Sequence, residues 1–400
     1  MTQNLPEILF DCQGITVPDC VPAAGALSGL RLGVKDLFHI AGLPTSAGNP
    51  DWLATHPIPK ATSPVVKALI EAGAQLRAKT LTDEIAYSLN GVNVHYGTPA
   101  NALDARRVPG GSSSGSAITT ANSAVDIGLG TDTGGSVRVP ASYNGLYGIR
   151  PSHGVISVEH LVGLSPRFDT VGWLTRDFDT LARVADVLLP KQSTISTLSN
   201  CVVLLPENLT AWLELVPALT TELKAANVFE RIDVKPLPTE ITAKASAAFR
   251  VLQGFEIWRE HGEWIETYQP EFAPDITERL LWCQTITIEQ KEAAEQQALA
   301  FLEYAQQEFL LDNTCVILPT APGAAPLLDT PAEVMNEYRN QLMGLTAIAG
   351  LSKSVQVSLP YLQSDNCAWG LSVMTKQGGD RDLLALIKHL EASSLTSAFK

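Results

Sequence analysis

The chain has 400 residues, 45% of them hydrophobic and 18% charged, a composition typical of a globular protein and not of a disordered one. Its net charge of −14 argues against nucleic acid or an anionic membrane as a partner, because both select clustered lysine and arginine. The lack of a CxxC motif, of a signal-peptide pattern and of any run of ~18 apolar residues predicts a cytoplasmic protein with reduced cysteines and no membrane span.

The chain begins with a lead-in and one predicted strand–helix–strand unit. Residues 1–29 show little sign of regular structure, and residues 30–38 then read as an apolar strand. After a Gly/Pro-rich loop over 40–62, the segment 63–73 predicts a helix, because it has a serine N-cap, a proline at the first helical position and a terminal glycine. A short strand follows at 74–78. This rhythm predicts βαβ units in a parallel or mixed sheet.

Residues 105–139 concentrate hydroxyl groups and glycines. Two Ser/Gly clusters, at 110–116 and 130–136, enclose the small and apolar segment 117–129, which predicts one short helix and one short strand. Glycine lets the backbone approach a ligand closely, and consecutive N–H groups in such a loop can point at one anion. Ser136, at the end of the second cluster, is therefore a candidate nucleophile beside an oxyanion hole.

The rest of the chain continues the alternation around a helical section. The predicted strands lie at 144–150, 202–205, 231–235, 315–318, 354–359 and 368–374. The predicted helices lie at 178–189, 208–226, 332–349 and 380–391. Residues 239–312 are rich in Gln, Glu, Ala and Leu and predict two or three long helices, interrupted near Pro270 and Pro274, as a lid or a helical cover over the sheet. We predict an α/β fold in a single domain over residues 1–400.

A nucleophilic serine needs a base, and the sequence offers two kinds. His95 and His153 are the histidines nearest to Ser136, but neither lies in a triad-like motif and the GxSxG elbow is absent. The other candidate is Lys35, whose apolar neighbours at a strand end could desolvate it and bring its pKa down from ~10.4. A histidine base stays open at this point, as does an ordinary ion pair between Lys35 and Asp36.

A dinucleotide site is a further alternative for the same glycine-rich region. Gly128, Gly130 and Gly134 approach the GxGxxG spacing of such sites. Thr133 occupies the place of the third glycine, so the motif is incomplete and we do not favour this alternative.

Four segments of the chain resemble the amidase signature family. They are Gly33–Asp36, Gly110–Ser113, Gly130–Pro140 and Gly148–Ser152. Their order and spacing match the family, including the gap of 24 residues between Ser112 and Ser136. The resemblance continues through LPTAP at 318–322 and through TKQGGDRDLL near the C-terminus, so that it covers nearly the whole chain.

The resemblance implies a catalytic triad of two serines and a lysine. Ser136 is then the acylated nucleophile, Ser112 the bridging serine that follows a cis peptide bond from Gly111, and Lys35 the ultimate base. The family's oxyanion hole corresponds to the backbone N–H groups of Thr133, Gly134, Gly135 and Ser136. We also expect Ser136 to open a helix, whose dipole would favour an anion there.

Supporting roles follow from the same resemblance. Ser113 is expected to orient Lys35 and Ser112. Asp132 and Arg138 are expected to support the site or to form a buried ion pair. Three residues are expected to contact the substrate: Thr131, Ala86 and Tyr87.

One position departs from the family pattern. The family commonly has GGSSGG, whereas this chain has Ser114 in place of the fifth residue of that motif. The segment Ser114–Ser116 and the compact length are similar to the short, plant-type indole-acetamide hydrolases, and we expect the serine to cap the following helix. Some members of that branch have lost the catalytic serines and act as receptors. This chain retains both serines and the lysine.

The resemblance implies the amidase signature fold, with a mixed sheet covered by helices on both faces, the signature core at about 30–190 and a helical cover at about 239–312. The implied function is hydrolysis of a small-molecule carboxamide, without a metal or an organic cofactor. Two alternatives stay open: an amidotransferase A-type subunit that releases ammonia from glutamine for a partner, and a non-catalytic binding protein. The chain is short for the former. The assembly, with a homodimer among the options, and the particular amide stay open.

Overall fold

The computed structural model describes residues 6–364 and 367–393. Within these residues, eleven strands form one sheet: β1 (Ile8–Asp11), β2 (Arg31–Lys35), β3 (Gln75–Thr80), β4 (Ile127–Thr131), β5 (Tyr147–Arg150), β6 (Val171–Thr175), β7 (Asn200–Pro206), β8 (Arg231–Leu237), β9 (Thr314–Pro319), β10 (Val355–Ser364) and β11 (Cys367–Thr375). The α-helices are α1 (Pro50–Thr55), α2 (Pro64–Glu71), α3 (Ser114–Ala121), α4 (Arg138–Tyr143), α5 (Phe178–Leu188), α6 (Thr210–Ala225), α7 (Thr239–Tyr268), α8 (Pro274–Gln284), α9 (Ile288–Glu308), α10 (Ala332–Ser352) and α11 (Asp380–Glu391).

The sheet is mixed, as the sequence predicts. Its strand order is β1-β3-β2-β4-β6-β5-β10-β11-β9-β7-β8. Strand β2 runs parallel to both β3 and β4, and β7 runs parallel to both β8 and β9. The other pairs are antiparallel. The carboxyl ends of β2, β3 and β4 therefore meet at one edge of the sheet, where the loops that follow them come together.

Helices lie on both faces of this sheet. Successive residues of a strand point to opposite faces. On β6, Trp173 packs in the same apolar cluster as Leu181 of α5, whereas Leu174 packs with Ala117 of α3 and Ala141 of α4. Helix α5 thus covers one face, and α3 and α4 cover the other. The α/β fold class and its mixed, helix-covered sheet are confirmed.

The structure differs from the sequence predictions at three short elements. Strand β1 lies inside the supposed lead-in and pairs with β3, with Ile8 opposite Thr80. Helix α1 lies inside the supposed loop, where the Asn49 side chain caps its first N–H groups. Strand β6 was not predicted. Four to six residues carry little periodic signal, and β1, at the edge of the sheet, is stabilised by its partner strand rather than by its own sequence.

The helical cover consists of α7, α8 and α9. Helix α7 ends at Gln269, which takes a left-handed conformation with φ 48°, and α8 begins with Pro274. Thr287 and Gln290 form a capping box at the start of α9. Helix α7 contacts both α9 and α10. The prediction of long helices interrupted near the two prolines is confirmed.

No helix in the described ranges is long and apolar enough to cross a membrane. The strands from residue 8 to residue 375 belong to one sheet. The assignment of the whole chain to a single domain stays a prediction.

Candidate active site

Lys35 lies at the carboxyl end of β2, in the interior of the protein. Its side chain is fully buried. The Nζ atom lies 2.8 Å from Ser112 Oγ and 2.8 Å from Thr131 Oγ1. Ser112 precedes α3 and Thr131 ends β4, so three segments far apart in sequence meet at one amine. The fold thus brings together two of the three residues predicted for the triad.

Burial lowers the pKa of Lys35 from 10.5 to about 7. An amine without solvent loses the hydration that favours its charged form. The negative charges of Asp83, Asp132 and Asp169 act in the opposite direction and limit the decrease. A lysine with this pKa is neutral in a large fraction of molecules near pH 7 and can accept a proton from Ser112.

The Ser112 loop has the geometry that the family resemblance implies. The peptide bond between Gly111 and Ser112 is cis, as expected. The Asp83 N–H donates to the Ser112 carbonyl oxygen at 3.2 Å, and the Ser113 N–H donates to the Ser136 carbonyl oxygen at 3.2 Å. The second bond ties the two serine-bearing loops together. Among the described residues the Ser112 and Ser136 hydroxyls do not hydrogen-bond to each other, a contact that often tightens only when substrate binds.

Two serines of this loop differ from the sequence expectations. The Ser113 hydroxyl donates to the Thr131 carbonyl oxygen at 3.2 Å, so it contacts the strand behind Lys35 and not Nζ. Ser114 is the first residue of α3 and not its cap, and its buried hydroxyl has no hydrogen-bond partner in the described part of the chain. The expected capping by Ser114 is wrong, because the helix starts one residue earlier than such a cap would require.

The predicted oxyanion loop is shaped by the Asp132 side chain. Its carboxylate accepts hydrogen bonds from the backbone N–H groups of Gly135 (3.0 Å), Val137 (3.1 Å) and Arg138 (3.2 Å). The Gly135 amide is therefore already engaged, whereas no partner is found among the described residues for the amides of Thr133, Gly134 and Ser136. Gly135 has φ 125°, a conformation that side chains rarely adopt.

The expected position of Ser136 relative to the helix is wrong by two residues. Helix α4 begins at Arg138, with Val137 as its cap, so Ser136 precedes the helix instead of opening it. The Asp132 carboxylate occupies the amides of Val137 and Arg138 at the helix start. Any stabilisation of an oxyanion therefore comes from the loop amides rather than from α4 itself.

Asp132 is the centre of a buried ion cluster. It accepts from Arg138 Nε at 3.0 Å and Nη2 at 2.8 Å, and from Arg150 Nη1 at 3.2 Å. Burial opposes ionisation of Asp132, but the charges and hydrogen bonds of the two arginines hold its pKa well below the usual range. Asp132 and Arg138 thus form a buried ion pair, which is one of the two roles expected for them. Arg150 was missed as a site residue, although it lies in the Gly148–Ser152 segment that carries the family resemblance.

Asp169 is a second supporting residue that sequence reasoning missed. Its Oδ1 accepts from the Thr133 hydroxyl at 2.6 Å, and its Oδ2 accepts from the N–H groups of Leu164 and Ser165 at 2.8 and 3.0 Å. The contact positions the first residue of the oxyanion loop. No motif in the sequence marks Asp169, which lies 36 residues from its partner.

The three residues expected to contact substrate occupy different environments. The Thr131 hydroxyl is bound to Lys35 Nζ and therefore supports the base. Ala86, with φ 61°, lies in a buried 3₁₀ turn, followed by the buried Tyr87. Tyr87 contacts the helical cover: its hydroxyl lies 3.3 Å from Cys283 Sγ, and the Arg279 guanidinium lies 5.3 Å from its ring centre. Substrate contact by Ala86 and Tyr87 stays a prediction.

The structure does not support a histidine as the base or a dinucleotide site at the glycines. His95 Nε2 lies 2.8 Å from Glu84 Oε1, and His153 Nε2 lies 2.9 Å from the Pro166 carbonyl oxygen, so both rings are engaged away from Ser112. Gly128 and Gly130 lie inside β4 and not in a loop between strand and helix. A Cβ on Gly128 would lie 2.6 Å from the Ser116 carbonyl oxygen of α3, so this glycine permits close packing of helix and strand.

A family model for Amidase matches residues 19–257, which include all four motif segments and the contact between Lys35 and Ser112. The chain belongs to the amidase family. Amidase 1 of Oryza sativa subsp. japonica is 38% identical, over 94% of this chain and 92% of that protein. A solved crystal structure of an amidase superposes with a TM-score of 0.81 at 29% identity, covering 98% of this chain and 92% of that one.

This amidase is also 33% identical to Outer envelope protein 64, chloroplastic, of Arabidopsis thaliana, over 92% of this chain and 67% of that protein. The predicted family is confirmed, and with it the predicted enzyme class. This amidase is a hydrolase acting on amide C–N bonds, as the motifs predict.

Proposed function

We propose that this amidase hydrolyses a small-molecule carboxamide through an acyl-enzyme on Ser136, with Ser112 as the bridging serine and Lys35 as the base. The observation that supports it is the 2.8 Å contact between Nζ of a fully buried lysine and Ser112 Oγ. A serine hydroxyl is a poor nucleophile near neutral pH unless a base removes its proton. Burial lowers the pKa of Lys35 to about 7, which suits it to that task.

The proposed reaction has two halves, formation of the acyl-enzyme and its hydrolysis. In each half one proton is relayed and one bond to the carbonyl carbon replaces another. Neutral Lys35 takes the Ser112 proton while Ser112 takes the Ser136 proton, and Ser136 Oγ forms a bond to the carbonyl carbon. The loop amides of Thr133 and Gly134, with that of Ser136, stabilise the oxyanion. The proton then returns through Ser112 to the leaving nitrogen as the C–N bond breaks. Water repeats the sequence on the ester and releases the carboxylic acid.

Two alternatives are outcomes of the test. An amidotransferase A-type subunit would release ammonia from glutamine only with a partner present. A non-catalytic binding protein would turn over no amide. The contact between Lys35 and Ser112 favours catalysis over the second alternative. The match to Amidase 1 along most of both chains favours a stand-alone enzyme over the first.

The experiment is a turnover screen of the purified protein with aliphatic, aryl and indolic amides and with glutamine. We expect ammonia and the matching carboxylic acid in equal amounts for at least one amide. Hydroxylamine added to the reaction should divert product into the hydroxamate, because it captures the acyl-enzyme before water does. A folded protein that releases ammonia from none of these compounds would contradict the proposal, and glutamine-only activity that needs a second protein would favour the amidotransferase subunit.

The pH dependence of this amidase is expected to have an acidic limb near pH 7. Lys35 acts as a base only when it is neutral, and its pKa is about 7. Below that pH the protonated fraction rises, so kcat/KM should fall about tenfold for each further pH unit. Measuring kcat/KM from pH 5 to 9 tests this, with circular dichroism at each pH as the control for folding. A flat profile between pH 5 and 8 would contradict the assignment of Lys35.

The proposal includes a cytoplasmic location. All six cysteines are free thiols, and five of them are buried, which suits a reducing compartment. Cell fractionation tests the location. A homodimer remains one option for the assembly, and size-exclusion chromatography with light scattering measures it.

A further inference from the structure

The negative charges of three carboxylates raise the pKa of Lys35, and two of these carboxylates have hydrogen-bond donors on both oxygens. They are Asp83 in the turn after β3, Asp132 after β4 and Asp169 before β6. Asp132 is neutralised by hydrogen-bonded arginines. Asp169 has hydrogen-bond donors on both of its oxygens. Neither has an unused oxygen that calls for another partner.

Asp83 is different, because it is fully buried with one oxygen unpaired. Its Oδ2 accepts from the Gly91 N–H at 2.9 Å, whereas its Oδ1 has no hydrogen-bond partner among the described residues. A Cβ on Gly111 would lie 2.5 Å from each of the two oxygens, so the carboxylate lies against the backbone that precedes Ser112. The Asp83 N–H also holds the Ser112 carbonyl oxygen at 3.2 Å.

The two arginines whose charges interact with Asp83 are already paired with a different carboxylate, that of Asp275. Arg279 of α8 and Arg339 of α10 both interact with the Asp83 charge. Arg279 donates to Asp275 Oδ2 at 2.5 Å, and Arg339 Nη2 lies 3.6 Å from the same oxygen. A buried carboxylate with an unpaired oxygen is costly, and such a group in a native structure calls for an explanation. Of the cations whose charges act on Asp83, Lys35 is the one that forms no ion pair among the described residues.

The proposed reaction makes Lys35 a cation for part of each cycle. Between attack by Ser136 and departure of the amine, Nζ holds the proton with no solvent around it. An isolated buried ammonium is strongly disfavoured, and an anion in the same low-dielectric region stabilises it. The Ser112 and Thr131 hydroxyls solvate Nζ but carry no charge.

We propose that Asp83 is a positioning residue for this reaction: its buried carboxylate, seated on Gly111 beside Ser112, stabilises the proton that Lys35 holds while the tetrahedral intermediate exists. The inference rests on the proposed role of Lys35. It is supported by the opposing effects of burial and charge, since burial lowers the pKa of Lys35 to about 7 and Asp83 is the strongest of the charges that raise it. Burial also raises the pKa of Asp83 to about 6, close to that of Lys35.

The test measures the rate of labelling by a fluorophosphonate probe from pH 5 to 9, which needs no knowledge of the natural substrate. In Asp83→Asn the amide keeps the shape of the side chain but not its charge. We expect the acidic limb of the labelling rate to move about one pH unit lower and the plateau rate to fall, because the buried ammonium loses its anion. Glu84→Gln is the matched control. Glu84 is the adjacent buried carboxylate, and its charge is not among those that shift the pKa of Lys35. The acidic limb of the labelling rate in Glu84→Gln should therefore stay at the wild-type pH.

If the acidic limb of Asp83→Asn stays at the wild-type pH, the inference is overturned, whatever the plateau rate of the variant. A purely structural role would lower the labelling rate without moving the limb. If Asp83→Asn does not fold, Ser88→Ala replaces it. The Ser88 side chain favours the charged form of Asp83, so its loss should move the limb in the same direction by a smaller amount. An unmoved limb there would equally overturn the inference. A wild-type protein that is not labelled at all would instead overturn the role of Ser136, and this inference with it.

Discussion

Replacement of Ser136 by alanine is expected to abolish both amide turnover and labelling by a fluorophosphonate. The variant lacks the oxygen that forms the acyl-enzyme, while Lys35 and Ser112 remain in contact. Loss of the nucleophile in serine hydrolases lowers kcat by roughly 10⁴- to 10⁶-fold, and the residual rate reflects binding and the oxyanion hole. Ammonia release and the mass of the intact protein after exposure to the probe measure the two losses separately.

Ser114→Ala is the matched control for Ser136→Ala. Ser114 is also a buried serine of the glycine-rich region, and its hydroxyl has no described partner. We expect this variant to keep turnover within a few-fold of the wild type. If labelling survives in Ser136→Ala and instead requires His95 or His153, the assignment of the lysine and the two serines is wrong.

Replacement of Asp132 by asparagine is expected to cause the largest loss of stability. The asparagine side chain has nearly the shape of aspartate, but two fully buried arginines would be left beside each other without their anion. Removing one partner of a buried ion pair typically costs about 3–5 kcal/mol, because the remaining charge stays buried. Chemical denaturation should report a decrease of this size in the free energy of unfolding. The weakened oxyanion loop should also lower the turnover of the fraction that stays folded.

Asp126→Asn is the control for the Asp132 variant. Asp126 also binds two arginines, Arg31 at 2.8 Å and Arg176 at 2.6 Å, but the side chains of both arginines are about one-third exposed to solvent. Water can rehydrate these charges, so we expect a loss of about 1 kcal/mol or less. Equal losses in the two variants would contradict the argument that burial makes the Asp132 cluster costly to break.

The amino-acid sequence determines much of this protein through local patterns. The helix from Pro64 is set by the proline at its first position and by its apolar spacing, and the helical cover is interrupted where its prolines lie. The four motif segments identify the family, because residue types and spacings are directly visible. For the same reason the sequence by itself is enough to name Lys35, Ser112 and Ser136 as candidates.

Other features could not be read from the sequence, because they depend on contacts between distant segments. Asp169 and Asp83 carry no motif, and each acquires its relation to the site only through a loop that the fold brings near. The engaged amide of Gly135 was missed because a glycine in a loop shows no sign of the carboxylate that binds its N–H. Strand β1 was missed because its hydrogen-bond partners belong to β3.

The active site shows which features follow from the amino-acid sequence and which follow from the tertiary structure. The sequence alone placed two serines in one glycine-rich region and left the base open between a lysine and the histidines. The tertiary structure placed Lys35 Nζ 2.8 Å from Ser112 Oγ across 77 residues of chain and removed its solvent. Residue identity determines what chemistry a side chain can do, whereas its pKa and its partners depend on burial and nearby charges, which exist only once the parallel strands β2 and β4 lie side by side.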